Sequence, residues 1–307
     1  MVWLLIALAV LVAAAAAYPL WREAQRGLPD PRQAPGDLIE LPQGVTHARW
    51  IGPARGPVIV AIHGLTTPSP VFDALAPELA GLGYRVLVYD QYGRGYSGNA
   101  RGVQDAAFCL RQLEGVLDHY ELKDDLTVLG YSSGAAIATA FAAANPHRMK
   151  RLVLIAPAGI EMAETPEARL VRKTPVLGDW LFALAGPHRL REAAAAIGPS
   201  EVPGLAEIQA GELDRRGYLA AVLGTIRGIR HARQESEHRA LGRAGIPVVA
   251  IWAEADTTVP IRGLGDLALW NRAAKQEMVA GAGHGLPHTH PRQVMEILRD
   301  VLREDWA

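Results

Sequence analysis

The sequence predicts an α/β fold, a mostly parallel sheet covered by helices on both faces and interrupted by a helical insertion. Short β-branched runs alternate with longer stretches of helical period, the pattern of strands buried on both sides and joined by crossover helices. One such run leads directly into a Gly-x-Ser-x-Gly turn and an Ala-rich helix. Residues 157–245 are rich in Ala, Arg and Glu and hold no convincing strand, which is too long a stretch for a simple connection. At 307 residues the chain has room for one large domain with such an insertion.

In chain order, the first element is an apolar, uncharged segment from Val2 to Leu20. As a helix it would span about 27 to 30 Å, the thickness of a bilayer core. Trp3 at one end, and Tyr18 with Trp21 at the other, are placed like interfacial aromatics. The reading is a retained single-pass anchor over residues 1–21. A cleaved signal peptide is the alternative, with Ala15-Ala16-Ala17 as its cleavage site, but the start Met1-Val2-Trp3-Leu4-Leu5 lacks the basic residues such a peptide wants. Arg22, Arg26 and Arg32 follow the segment and put the remainder on the cytoplasmic side; cleavage would instead export it. Residues 22–44, with Leu28-Pro29-Asp30-Pro31 and Ala34-Pro35-Gly36, read as a linker.

The α/β core is expected over residues 45–156 and 246–307, with 157–245 as a helical cap. Expected strands are Val58 to Ile62, Arg85 to Tyr89, Leu126 to Leu129, Leu152 to Ile155 and Val248 to Trp252, with Val45 to Ile51 as an edge strand. Val103, Ala106, Leu110, Leu113 and Leu117 form one helical stripe, and Val294, Ile297, Leu298, Val301 and Leu302 another.

Composition narrows the function. Lys and Arg number 31 against 32 Asp and Glu, so no overall field favours nucleic acid, and none is expected as a partner. Cys109 is the only cysteine, which excludes an intrachain disulfide; on an amphipathic helix it reads as a small buried thiol.

The chemistry centres on Gly130-Tyr131-Ser132-Ser133-Gly134, a strand-turn-helix context in which a serine is presented on a strained turn. Of the two serines, Ser132 alone has glycines two residues before and after it, where side chains would meet neighbouring backbone. The helix that follows directs its N-terminus at the serine and offers the Ser133 N–H to a developing oxyanion.

With His63-Gly64 after the Val58 to Ile62 strand, and Asp90-Gln91-Tyr92-Gly93-Arg94-Gly95-Tyr96-Ser97 after the next, the chain from about Val45 onward resembles the α/β-hydrolase superfamily. The resemblance implies that the Leu65 N–H is the second oxyanion donor, that His63 shapes the loop, and that the glycines near Arg94 serve a tight turn. His284, in Gly281-Ala282-Gly283-His284-Gly285, resembles the family's catalytic histidine. Asp256, ahead of Val259-Pro260, matches its aspartate, which would hold the imidazole; Glu254 and Glu161 are the competitors. The order Ser132, Asp256, His284 is the one this fold uses. His288 and His290 lie near His284, but their spacing does not suggest a metal site, and no cofactor is expected.

Serine at the elbow separates the chain from haloalkane dehalogenases and epoxide hydrolases of the superfamily, which use aspartate there. The resulting expectation is a serine esterase, resembling carboxylesterases and monoacylglycerol lipases, acting on a small-molecule or lipid ester. The anchor and the apolar cap residues Leu177, Trp180, Leu181, Phe182 and Leu184 favour a lipophilic acyl chain. A thioesterase, amidase or C–C hydrolase using the same triad, or a non-catalytic tethered binding protein, are the alternatives.

Overall fold

The computed structural model describes residues 1–100, 102–196 and 198–303; residues 304–307, expected to close the core, lie outside the described residues. The chain begins with helix α1 (Val2–Ala24), then forms strands β1 (Asp37–Leu41), β2 (Gly44–Ile51) and β3 (Val58–Ile62), helix α2 (Ala76–Gly81), β4 (Arg85–Tyr89), α3 (Ala106–His119), β5 (Leu126–Tyr131), α4 (Ser133–Ala144) and β6 (Met149–Ile155). Helices α5 (Pro166–Lys173), α6 (Leu177–Ala196), α7 (Leu205–Glu212), α8 (Tyr218–Arg227) and α9 (Glu235–Arg243) follow. The chain then returns to the sheet with β7 (Val248–Ala253), α10 (Gly263–Trp270), β8 (Lys275–Val279), α11 (Leu286–Thr289) and α12 (Pro291–Arg303).

The strands form one sheet in the order β1-β2-β4-β3-β5-β6-β7-β8, parallel from β4 to β8 and antiparallel where β2 meets β1 and β4. Both faces of the central strands are buried, which is why their residues are apolar without alternation. In β3, Val60 and Ile62 join a core with Leu113, Phe141 and Leu241 from α3, α4 and α9, while Ile59 and Ala61 face Leu79, Val294 and Leu298 from α2 and α12. Helix starts follow local chemistry: Asp105 accepts the Phe108 N–H at 2.9 Å to cap α3, and Thr165 accepts the Ala168 N–H at 3.2 Å to cap α5.

Four differences from the sequence reading have physical causes. Residues 22–44 are not linker throughout, because Asp37–Leu41 pairs as β1; only Ile39 of that strand is buried, so the apolar signal is one residue deep. β2 is consequently the second strand and not the edge. At the other edge, β8 reads Lys-Gln-Glu-Met-Val and is mostly half-exposed, so it carries no apolar run. The stripe assigned to α3 is also shifted: Val103 precedes the helix and is exposed, and the buried face is Phe108, Cys109, Leu113, Val116 and Leu117.

Candidate active site

The parallel strands aim their C-terminal ends at one edge, where the turns after β3, β5, β7 and β8 gather. β3 and β5 are neighbours although the chain leaves them toward opposite sides of the sheet, the switch point at which such sheets open a crevice. Ser132 lies between β5 and α4 with φ +53° and ψ −120°. A strained turn of this kind needs overdetermined surroundings. The Ser132 N–H bonds the Ile155 carbonyl at 2.9 Å, and its own carbonyl accepts the N–H groups of Ala135 at 2.9 Å and Ala158 at 3.2 Å. A Cβ on Gly134 would come within 2.1 Å of the Ile62 carbonyl oxygen, and one on Gly130 within 2.5 Å of the Ala135 Cα. The elbow closes against backbone on both sides, so both glycines are required.

His284, beyond β8, stands 2.9 Å from Ser132 Oγ through Nε2 and 2.7 Å from Asp256 Oδ2 through Nδ1. Asp256 follows β7 and is buried. Its other oxygen, Oδ1, accepts the N–H groups of Thr258 at 2.7 Å and Val259 at 2.9 Å, which fixes the carboxylate plane. With a carboxylate at Nδ1, the neutral ring keeps its proton there and turns the Nε2 lone pair to the serine.

The loop after β3 is held by a buried network. His63 Nδ1 donates to the Gly64 carbonyl at 2.8 Å while Nε2 accepts the Gln91 N–H at 2.8 Å, and burial lowers the His63 pKa to about 4, so the ring is neutral. Because the Gly64 carbonyl and the Leu65 N–H belong to one planar trans peptide, anchoring the carbonyl on His63 turns the Leu65 N–H the opposite way. Arg94, fully buried, donates from Nε to the Leu65 carbonyl at 3.1 Å and reaches Thr225 of α8 at 2.7 Å. Ser133 is the first residue of α4, where N–H groups have no helical carbonyl to bond.

The other candidates stand apart from this group. Glu254 is exposed and accepts the Gly281 N–H at 2.8 Å; Glu161 pairs with Arg262. His290 Nδ1 lies 2.8 Å from the Thr289 hydroxyl, and His288 is buried, which lowers its pKa to about 4. Among the described residues, no three His, Cys, Asp or Glu side chains form a group that could hold a metal ion. Burial pushes the Cys109 thiol up to about 12, which makes it inert.

Four supporting residues were not legible in the sequence. Tyr131 donates its hydroxyl to the His284 carbonyl at 2.9 Å, and its ring packs so near Gly64 that a Cβ there would lie 3.1 Å away. Gln91 braces His63. Glu212 and Arg215 clasp the glycine turn after β4: Glu212 accepts the Gly95 N–H at 3.1 Å, and Arg215 donates to the Gly95 carbonyl at 3.1 Å.

Comparison with known proteins accords with this architecture. A 142-residue stretch is 32% identical to epoxide hydrolase B of Mycobacterium tuberculosis, covering 44% of this chain and only 38% of that protein's length. An uncharacterized protein of Mycobacterium bovis, Mb2734, is 24% identical over 79% of this chain and 74% of its own. The structure superposes on the enol-lactonase of Burkholderia xenovorans LB400 with a TM-score of 0.73 at 19% identity, over 87% of this chain and all of that one. It also superposes on a thermophilic esterase of Thermogutta terrifontis with a TM-score of 0.67 at 21% identity, over 87% of this chain and 98% of that one. The sequence profile of the alpha/beta hydrolase fold matches residues 57–291, from β3 to the start of α12 and through every turn that brings Ser132, Asp256 and His284 together, and the chain belongs to the α/β-hydrolase family.

Proposed function

We propose that the protein is a membrane-anchored serine hydrolase that cleaves carboxylic esters, with lipid esters as the preferred class, through an acyl-enzyme intermediate. The observation that carries this reading is His284, bonded at one nitrogen to Ser132 Oγ and at the other to a carboxylate fixed by two backbone N–H groups. As Oγ attacks the ester carbonyl, its proton passes to Nε2, and Asp256 stabilises the imidazolium. The N–H groups of Leu65 and Ser133 receive the negative oxygen. The imidazolium then protonates the departing alkoxide; water, deprotonated by the same nitrogen, attacks the acyl carbon, the bond to Ser132 Oγ breaks, and Oγ recovers the proton from Nε2 as the acid is released.

Serine at the elbow favours acyl transfer over the epoxide opening named for the Mycobacterium tuberculosis relative. An apolar cluster supports a lipophilic acyl group: Leu65, Phe182 and Leu190 pack against a buried cluster of Leu213, Tyr218 and Leu219. A cavity of about 330 Å³ opens beside it, lined by Thr66, Leu190, Ala206, Leu213 and Tyr218 among others. Membrane attachment rests on α1, which is long and apolar enough to span a bilayer and has nearly all its side chains exposed. A panel of p-nitrophenyl esters, monoacylglycerols and an epoxide tests the chemistry, with ester turnover expected to rise with acyl length. Epoxide opening without ester turnover would contradict it. The protein is expected to sediment with membranes, resist extraction by high salt and begin at Met1 or Val2; a mature N-terminus near Tyr18 would refute the anchor.

A further inference from the structure

Helix α1 does not stand off from the rest of the chain; it is fastened to the insertion. Pro19 lies inside α1 and has no N–H, so the carbonyl of Ala15, four residues earlier, loses its helical partner. Trp180 of α6 supplies the missing donor, its indole N–H bonding the Ala15 carbonyl at 2.9 Å. A carbonyl at membrane depth finds no water to replace its lost partner, so the contact fixes where α6 meets α1. At the end of α1 the Arg216 guanidinium donates to the carbonyls of Ala24 and Arg26, each at 3.1 Å, and Glu23 accepts the Gly217 N–H. The Arg216 N–H bonds the Gly27 carbonyl at 2.7 Å, and the Gly27 N–H bonds the Asp214 carbonyl at 3.1 Å.

These contacts leave a groove of about 410 Å³ between the last two turns of α1 and helices α6 and α8, walled by Ala16, Pro19, Leu20, Phe182, Leu219 and Leu223 among others. We propose that this groove binds the acyl chain of an uncharged lipid ester drawn from the bilayer, so that α1 is one wall of the substrate's path to Ser132. This deepens, and rests on, the reading of the protein as a membrane-anchored serine hydrolase. Its size falls in the range of about 300–1,000 Å³ usual for small-ligand clefts. It lies at the level of Tyr18, Trp21 and Arg22, residues of the kind that sit at the headgroup layer, where the ester of an inserted lipid resides. Its charged lining residues, Glu23 and Asp179, are each paired with an arginine, Arg26 and Arg227, so the groove holds no unpaired cation for a free fatty acid or a phosphate and suits a neutral headgroup. Phe182 and Leu219, on the inner wall, belong to the same packed apolar cluster as Leu65, which joins the groove's inner wall to the loop carrying that residue's N–H.

The test uses full-length protein in phosphatidylcholine vesicles, with an alkylglycerol ether carrying a diazirine in mid-chain as a probe that cannot be hydrolysed. After irradiation, adducts are expected on α6 and α8 peptides containing Phe182, Ala183, Leu219 or Leu223, together with Ala16 to Leu20. Ala183→Trp, which fills the groove, should cut the α6 and α8 labelling at least fivefold. Trp180→Phe, which keeps the ring and removes the N–H, should cut it severalfold by freeing α1. Adducts scattered along residues 2–15 alone, or α6 and α8 labelling that Ala183→Trp leaves unchanged, would overturn the proposal. Protection of the groove residues in a dimer, without lipid adduct, would assign the groove to a second copy and overturn it equally. Fluorophosphonate labelling of Ser132 in the same vesicles reports separately on the hydrolase reading: its failure would remove that reading whatever the diazirine shows.

Discussion

Ser132 occupies the N-cap position of α4, yet its hydroxyl accepts no N–H of that helix and instead lies 2.9 Å from His284 Nε2. Serine at an N-cap ordinarily contributes about 1 kcal/mol through that bond. Here the cap is forgone, and the residue also holds φ at +53°, a region that costs a non-glycine residue roughly 1–3 kcal/mol. Stability is therefore given up in favour of the contact with His284. Ser132→Gly should unfold at a higher denaturant concentration than wild type, by about 1 kcal/mol, while losing all turnover; chemical denaturation followed by circular dichroism reads it.

The carboxylate that meets His284 is Asp256, at 2.7 Å from Nδ1, and not Glu254. Asp256→Asn should lower kcat by roughly 10⁴-fold, because an amide N–H facing Nδ1 selects the wrong tautomer of His284. Glu254→Gln removes only an exposed acceptor for the Gly281 N–H and should stay within threefold of wild type. Steady-state kinetics on a p-nitrophenyl ester separates them, and a reversed order would reassign the acid.

Tyr131 holds His284 from behind. Tyr131→Phe deletes the bond to the His284 carbonyl and should cost about 1 kcal/mol of stability. The base then loses one support of its loop, so kcat should drop about 3- to 10-fold with KM nearly constant, the split expected of a positioning residue. A rise in KM alone would place Tyr131 in substrate binding instead.

Glu212 gives the insertion a pH-dependent clasp. Burial raises its pKa from an ordinary 4.5 to about 7, against the lowering influence of Arg215, the Gly95 N–H and Arg94. Between those values the folded state binds more protons than the unfolded chain, so stability falls as pH rises: it is fully present below 4.5 and lost above 7. The loss should be on the order of 3 kcal/mol. Glu212→Gln should flatten that decline in urea melts taken from pH 4.5 to 8; an unchanged slope would show that another group is responsible.

How far these features can be read from sequence depends on how local their causes are. β3 and β4 are legible to the residue, since strands buried on both faces announce themselves as unbroken apolar runs. β1 and β8, at the two edges, bury too little for a pattern, and β8 opens with Lys275, Gln276 and Glu277. Ser132, Asp256 and His284 are legible because each sits in a short turn whose glycines or prolines are dictated by local geometry. Tyr131 and His284, Trp180 and Ala15, and Glu212 and Gly95 meet only after the sheet and insertion have folded, and no spacing in the chain encodes those pairs.

Rapid-quench mass spectrometry of the protein with a p-nitrophenyl ester measures acylation of Ser132 directly. The expected result is a transient mass increase equal to the acyl group, located on the peptide containing Ser132 and absent from Ser132→Ala. Ester turnover at the wild-type rate by Ser132→Ala, or an acyl adduct confined to another residue, would contradict it.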